Sequence, residues 1–208
     1  MREQVTVAVR TALMNGHFEP GQVVTVKSIA TMLGTSAMPA REAMHRLLAE
    51  GALELRPNRS VVVPTLSPRE FDELTDLRCH IEGLAAAQAA GVIGPEKIAQ
   101  LRALDQAMRS AAAGHDLDGY LAANFHFHFL IYRHGASEFT LSIIEKLWVR
   151  VGPLIRFSLG GRGLEKSGEM HARVIRSLER GDQAALRAAI RDDIEGAANV
   201  IRSARHRS

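Results

Sequence analysis

The turn-forming residues of the first 64 positions permit only short elements. Asn15-Gly16, Glu19-Pro20-Gly21, Gly34, Gly51, Pro57-Asn58-Arg59-Ser60 and Pro64 cut this stretch into pieces too short for a parallel sheet or a long-helix bundle. Residues 3–14 carry Val5, Val9, Ala12 and Leu13 at helical spacing. After the extended pair Val23-Val24, a short helix opens at Thr25 and ends at Gly34. A second runs from about Met38 to Glu50, with Pro39 in its first turn, where a missing N–H costs nothing. Its inward residues are Ala43, Leu47 and Leu48. Residues 52–56 and 60–63 then read as two short strands around the turn at 57–60. Helix, short helix, Gly turn, helix and hairpin is the order of a winged helix-turn-helix.

The punctuation then changes scale. Ser67 is a good N-cap and Pro68 suits a first helical turn, so a junction falls near Pro64–Leu66. This divides the chain into domains 1–64 and 65–208. The second reads as helix at 66–90, 95–113, 116–134, 137–160, 164–180 and 182–204, with Pro153 expected to kink the fourth. The first carries Phe71, Leu74, Leu77, Ile81 and Leu84 on an apolar stripe. The expected fold is mainly α: a winged helix-turn-helix followed by an all-α antiparallel six-helix bundle.

Composition excludes other classes. No run approaches the roughly 18–20 apolar residues of a membrane span, and the N-terminus lacks the apolar block of a signal peptide. One cysteine, Cys79, rules out an intramolecular disulfide framework. A cytoplasmic protein with no membrane partner is the expectation. The formal net charge of +3 permits nucleic-acid binding without requiring it. Only seven basic against five acidic residues lie in the first 64, so topology carries more weight than charge.

A helix lying in the major groove presents its N-terminal residues to base edges, while flanking elements hold phosphates. Arg41, His45 and Arg46 lie on the exposed side of the second short helix, with Ser36 and Met38 at its start. Arg41 is the candidate base reader, because a guanidinium makes a bidentate pair with guanine. Arg46, Lys27 and Arg59 are better placed for phosphates. Ordinary solvated helix charges are the competing reading.

In the bundle, the informative residues are polar ones at inward positions. Asn124 and His128 are four apart and share a face beside Ile131. His171 recurs beside Ile175 and Leu178, and Asp193 beside Ile190 and Ala197. One carbonyl, two imidazoles and one carboxylate from three helices suit a divalent ion such as zinc, nickel or manganese. A buried His is more often a hydrogen-bonded core residue, so spacing alone leaves both readings open. His126 points to the opposite side.

These residues also carry a resemblance. Gly16-His17-Phe18-Glu19-Pro20-Gly21, Ile29 to Ala43 and Leu47-Leu48-Ala49-Glu50-Gly51 resemble the DNA-binding domain of GntR-type transcription regulators. This chain has Ala37 where that family usually has Arg, and Ser60 where it usually has a wing-tip Gly. Asn124 to Tyr132, Glu73 to Arg78 with Glu82, Glu169-Met170-His171 and Arg180-Gly181-Asp182 are similar to the FCD ligand-binding domain of the FadR branch.

The resemblance implies a homodimeric regulator, typically a repressor, on double-stranded operator DNA. It implies a metal held by Asn124, His128 and His171, with Asp193 where a last His is common. A small carboxylate effector is implied beside the ion, gripped by Arg78 and Arg150 and walled by Tyr132 and Trp148. Arg78 equally suits a helix ion pair with Glu82 at i+4. Two rival readings stay open at this level: a metal-dependent enzyme using the same four ligands, and a sensor for which the ion itself is the signal.

Overall fold

The computed structural model describes residues 2–159 and 168–205. The expected turn at Gly160–Gly163 and the first residues of the helix expected from 164 lie outside the described residues. Two compact units emerge. One holds the residues up to Leu66 together with Trp148–Phe157; the other holds Ser67–Leu147 and the chain from Ser158 onward.

In the first unit, α1 (Arg2–Met14), α2 (Val26–Leu33) and α3 (Ala37–Ala49) pack around Val9, Leu13, Ile29, Ala43 and Leu47, each fully buried. Each of the Val, Leu and Ile side chains contributes roughly 1.5–3 kcal/mol, and Ala43 less. Thr25 starts α2 with a reciprocal cap: its hydroxyl accepts from Ser28 N–H at 3.0 Å, and Ser28 Oγ accepts from Thr25 N–H at 2.9 Å. Gly34 ends it in the left-handed conformation (φ 60°), its N–H donating back to Ala30 and Thr31. This tight reversal sets α3 across α2. The hairpin β1 (Glu54–Leu55) and β2 (Val61–Val62) is shorter than expected, paired antiparallel as Glu54↔Val62 and Leu55↔Val61. The extended Val23 forms a bridge to Val62 on the other side of β2, so the wing has a third rung.

In the second unit, α4 (Pro68–Ala89) opens with a Ser67–Glu70 capping box. It is followed by α5 (Pro95–Ala113), α6 (Leu117–Gly135), the part of α7 (Glu138–Leu159) up to Leu147, α8 (Gly168–Glu179) and α9 (Gln183–Arg205). Helix α4 packs along α9 and on α6, while α5 packs along α6 and α8, and α8 on α9. Pro153 lies inside α7, which continues as helix on both sides of it.

Two features depart from expectation. Leu77 and Leu84 of α4 are 54% and 41% exposed. The buried face of α4 runs instead through Phe71, Leu74, Thr75, Arg78, Cys79, Glu82, Ala85, Ala86 and Ala89. An arginine and a glutamate replace leucines on the inward side because they neutralise each other there. The second departure is Trp148–Phe157, which groups with the N-terminal unit although it follows residue 65. Gly152 explains the close packing: a Cβ there would lie 2.6 Å from the Met14 carbonyl oxygen and nearer still to that of Leu13.

Candidate functional site

The face of α3 away from the core carries what a groove-reading helix needs. Arg41, His45, Arg46 and Met38 are all exposed, as are Ser36 at the N-cap and Lys27 on α2. Ser36 does not use its hydroxyl to cap α3, and the helix mouth therefore offers that hydroxyl and backbone N–H groups to an anion. Arg59 sits at the wing tip, exposed, with φ of 65°. The left-handed residue of the wing is thus Arg59 rather than Ser60. Asn58 holds the turn, accepting from Ser60 N–H at 3.1 Å and Ser60 Oγ–H at 2.7 Å. An arginine in this left-handed conformation leaves an exposed cation at the wing tip.

The second unit brings His128 of α6, His171 of α8 and Asp193 of α9 together. One donor atom from each lies within 4.8 Å of the others. His128 Nε2 is 3.3 Å from Asp193 Oδ2, and His171 Nε2 is 3.7 Å from Asp193 Oδ1. Two ligands each 2.0–2.1 Å from a tetrahedral ion stand about 3.3 Å apart, so the donor spacing fits. Both imidazoles turn Nε2 toward the carboxylate. His128 and His171 are buried, and the Asp193 side chain is nearly so.

Burial and neighbouring charges set the protonation states in this cluster. Burial, the largest influence, holds His171 below the usual imidazole range, with the Asp193 charge opposing. It is a neutral imidazole at pH 7, which is the ligating form. Burial alone would raise Asp193, but the hydrogen bond with His128, the two neighbouring imidazoles and Arg78 outweigh it and hold its carboxyl below the usual range.

Behind His128 stands a hydrogen-bonded relay. Tyr132 Oη is 3.2 Å from His128 Nδ1 and donates to Glu82 Oε2 at 2.7 Å. Glu82 in turn accepts from Arg78 Nε at 2.6 Å and Nη2 at 3.2 Å. The phenol is pushed well above its ordinary pKa, first by burial and then by the Glu82 charge, and so stays a donor.

The sequence-derived residues therefore have distinct places. Asn124 is half-buried one turn before His128 on α6. Arg78 takes the ion-pair role with Glu82, and Tyr132 joins the same chain. Arg150 belongs to the N-terminal unit, where a Cβ built on Gly51 would meet its Nη2 at 3.1 Å; Trp148 belongs to that unit too. Sequence reasoning missed Asp105 of α5, whose Oδ1 faces His171 Nδ1 at 3.7 Å while its Oδ2 accepts from Arg109. Its position between the buried Leu101 and Met108 on one helix face was the available signal.

Comparison with known proteins decides the class. Residues 1–63 match "Bacterial regulatory proteins, gntR family", and residues 73–196 match the FCD domain. The chain belongs to the GntR family of transcription regulators. It is 31% identical to the HTH-type transcriptional regulator McbR of Escherichia coli K12, over 74% of this chain and 70% of that protein. It is 29% identical to the probable D-xylose utilization operon transcriptional repressor of Paenarthrobacter nicotinovorans, over 82% of this chain and 75% of that one. A solved structure of E. coli McbR/YncC superposes with a TM-score of 0.88 at 25% identity, covering 97% of each chain. These families and relatives are transcription regulators, which removes the enzyme reading. No described helix is long and apolar enough to cross a membrane.

Proposed function

We propose that this GntR regulator is a cytoplasmic homodimeric repressor whose grip on operator DNA is set by a small carboxylate bound at a metal ion. The carrying observation is the convergence of His128, His171 and Asp193 from three helices inside the FCD domain. With Asn124 as fourth ligand, they offer two imidazoles and two oxygens to zinc, nickel or manganese. An ion so held is a Lewis acid that attracts carboxylates, so the effector's acid group is assigned to the ion. Arg78, tied to Glu82, supports His128 through Tyr132 instead of gripping the effector, and Arg150 is assigned to the N-terminal unit.

Arg41 is assigned to a base edge, Ser36, Met38 and His45 to the groove around it, and Lys27, Arg46 and Arg59 to phosphates. A second copy is supported by Leu77 and Leu84, exposed seven residues apart on α4. Two heads joined this way read two half-sites, and the effector acts by favouring one placement of the heads over another.

The test is to select the operator from random duplex DNA, then measure its affinity with zinc alone and with zinc plus a panel of small mono- and dicarboxylates. Release by one acid only when zinc is present supports the proposal. A response to zinc alone favours the sensor reading, and selection of no sequence overturns the DNA assignment.

A further inference from the structure

We propose that Asp105 is a positioning residue that fixes His171 for metal binding; this rests on the metal reading above. A histidine that ligates through Nε2 must carry its remaining proton on Nδ1, and that proton needs an acceptor. His128 has one: its Nδ1 faces Tyr132 Oη, which donates its own hydrogen bond to Glu82. With Nε2 taken by an ion, Nδ1–H would donate along that chain to the phenol oxygen, the phenol donates to the carboxylate, and Arg78 neutralises the end.

The corresponding arrangement at His171 is shorter. Among the described residues its Nδ1 is buried without a hydrogen-bond partner, and so is Asp105 Oδ1, 3.7 Å away. Two buried polar atoms of complementary kind, each unsatisfied, face one another across a gap just too long for a hydrogen bond. A slight turn of the ring closes it. Asp105 is itself braced from behind, with Oδ2 accepting from Arg109 Nε at 3.1 Å. Asp105 lies on the Nδ1 side of the ring, opposite Asp193, and is therefore an orienting carboxylate and not a fourth ligand. Phe127, with its ring centroid 4.7 Å from that of His171, limits how the imidazole can lie.

Each ligating imidazole is thus backed by a carboxylate and an arginine. On His128 the pair acts through a phenol; on His171 it acts directly. Once an ion takes Nε2 of each imidazole, the proton left on Nδ1 faces these groups.

The test compares wild type with Asp105→Ala and Asp105→Asn in the full chain. Zinc affinity is read by chelator competition, and the His171 tautomer by nitrogen-15 imidazole shifts in metal-free protein. The alanine variant is expected to bind zinc about 10–100-fold more weakly and to lose the preference for Nδ1–H. Asparagine keeps an acceptor oxygen, so it retains the tautomer and most of the affinity even if alanine misfolds. Wild-type zinc binding with equal affinity and the same tautomer in both variants overturns the proposal while leaving the metal reading intact. Wild type that binds neither zinc, nickel nor manganese overturns both.

Discussion

Removing the Glu82 carboxylate should cost more than any exposed ion pair in the molecule. Glu82 is completely buried and Arg78 nearly so, and the carboxylate accepts hydrogen bonds from the guanidinium and from Tyr132. Burial works against the arginine's charge, but the Glu82 charge and hydrogen bond outweigh it and hold the guanidinium above its usual range. Glu82→Ala removes that compensation and leaves a buried charge, at a cost of about 3–5 kcal/mol. Against a typical folding stability of about 5–15 kcal/mol this is a large fraction. Arg78→Met with Glu82→Leu removes both charges while keeping most of the volume, and should lie within about 1–2 kcal/mol of wild type or above it. The assay is urea unfolding of the metal-free protein followed by far-UV circular dichroism, so that ion binding contributes nothing. A single variant within about 1 kcal/mol of wild type, or a double variant as unstable as the single, would refute the reasoning.

Three further outcomes follow from the same structure. Arg41→Ala should weaken operator binding by about 1–3 kcal/mol and relax sequence preference at one position; an unchanged binding isotherm would remove Arg41 from the interface. Burial keeps the folded-state pKa of His171 below 6.5, so the unfolded chain takes up a proton first as pH falls. Stability of the metal-free protein should therefore decline from about pH 6.5 downward until the folded-state pKa is reached, while the depressed carboxyl of Asp193 keeps its contribution throughout pH 5–8; denaturation midpoints that rise with acidification would contradict this. Gly152→Ala forces a methyl group against the backbone of Leu13 and Met14, and the overpacking penalty of about 1–3 kcal/mol should exceed the gain of about 1 kcal/mol from helix propensity. Trp148, the only tryptophan and one turn away, reports the loss by fluorescence, and a raised unfolding midpoint would show that the contact yields freely.

What was legible in the sequence was the part written in local chemistry. Thr25 and Ser67 mark helix starts because their hydroxyls replace missing backbone partners, and Gly34 marks a stop because φ is positive there. The helical period likewise placed His128, His171 and Asp193 on inward faces. Less legible was anything that depends on pairing across space. Hydrophobicity ranks Leu77 and Leu84 as core and Arg78 and Glu82 as surface; the ion pair reverses that order, because two opposite charges on one inward face cost less together than apart. Asp105 was hidden for the same reason, since its partner His171 is on another helix. The placement of Trp148–Phe157 with the N-terminal unit depends on Gly152, whose missing side chain leaves no hydrophobic signal. Arg59 was found as a cation but not as the left-handed residue, because family pattern pointed one position on.

The account stands most directly on what the full-length protein carries when isolated. Elemental analysis combined with native mass spectrometry should find two chains with one divalent ion each, and His171→Ala should remain dimeric while losing the ion. A wild-type chain that stays metal-free after exposure to zinc, nickel and manganese would contradict the central claim.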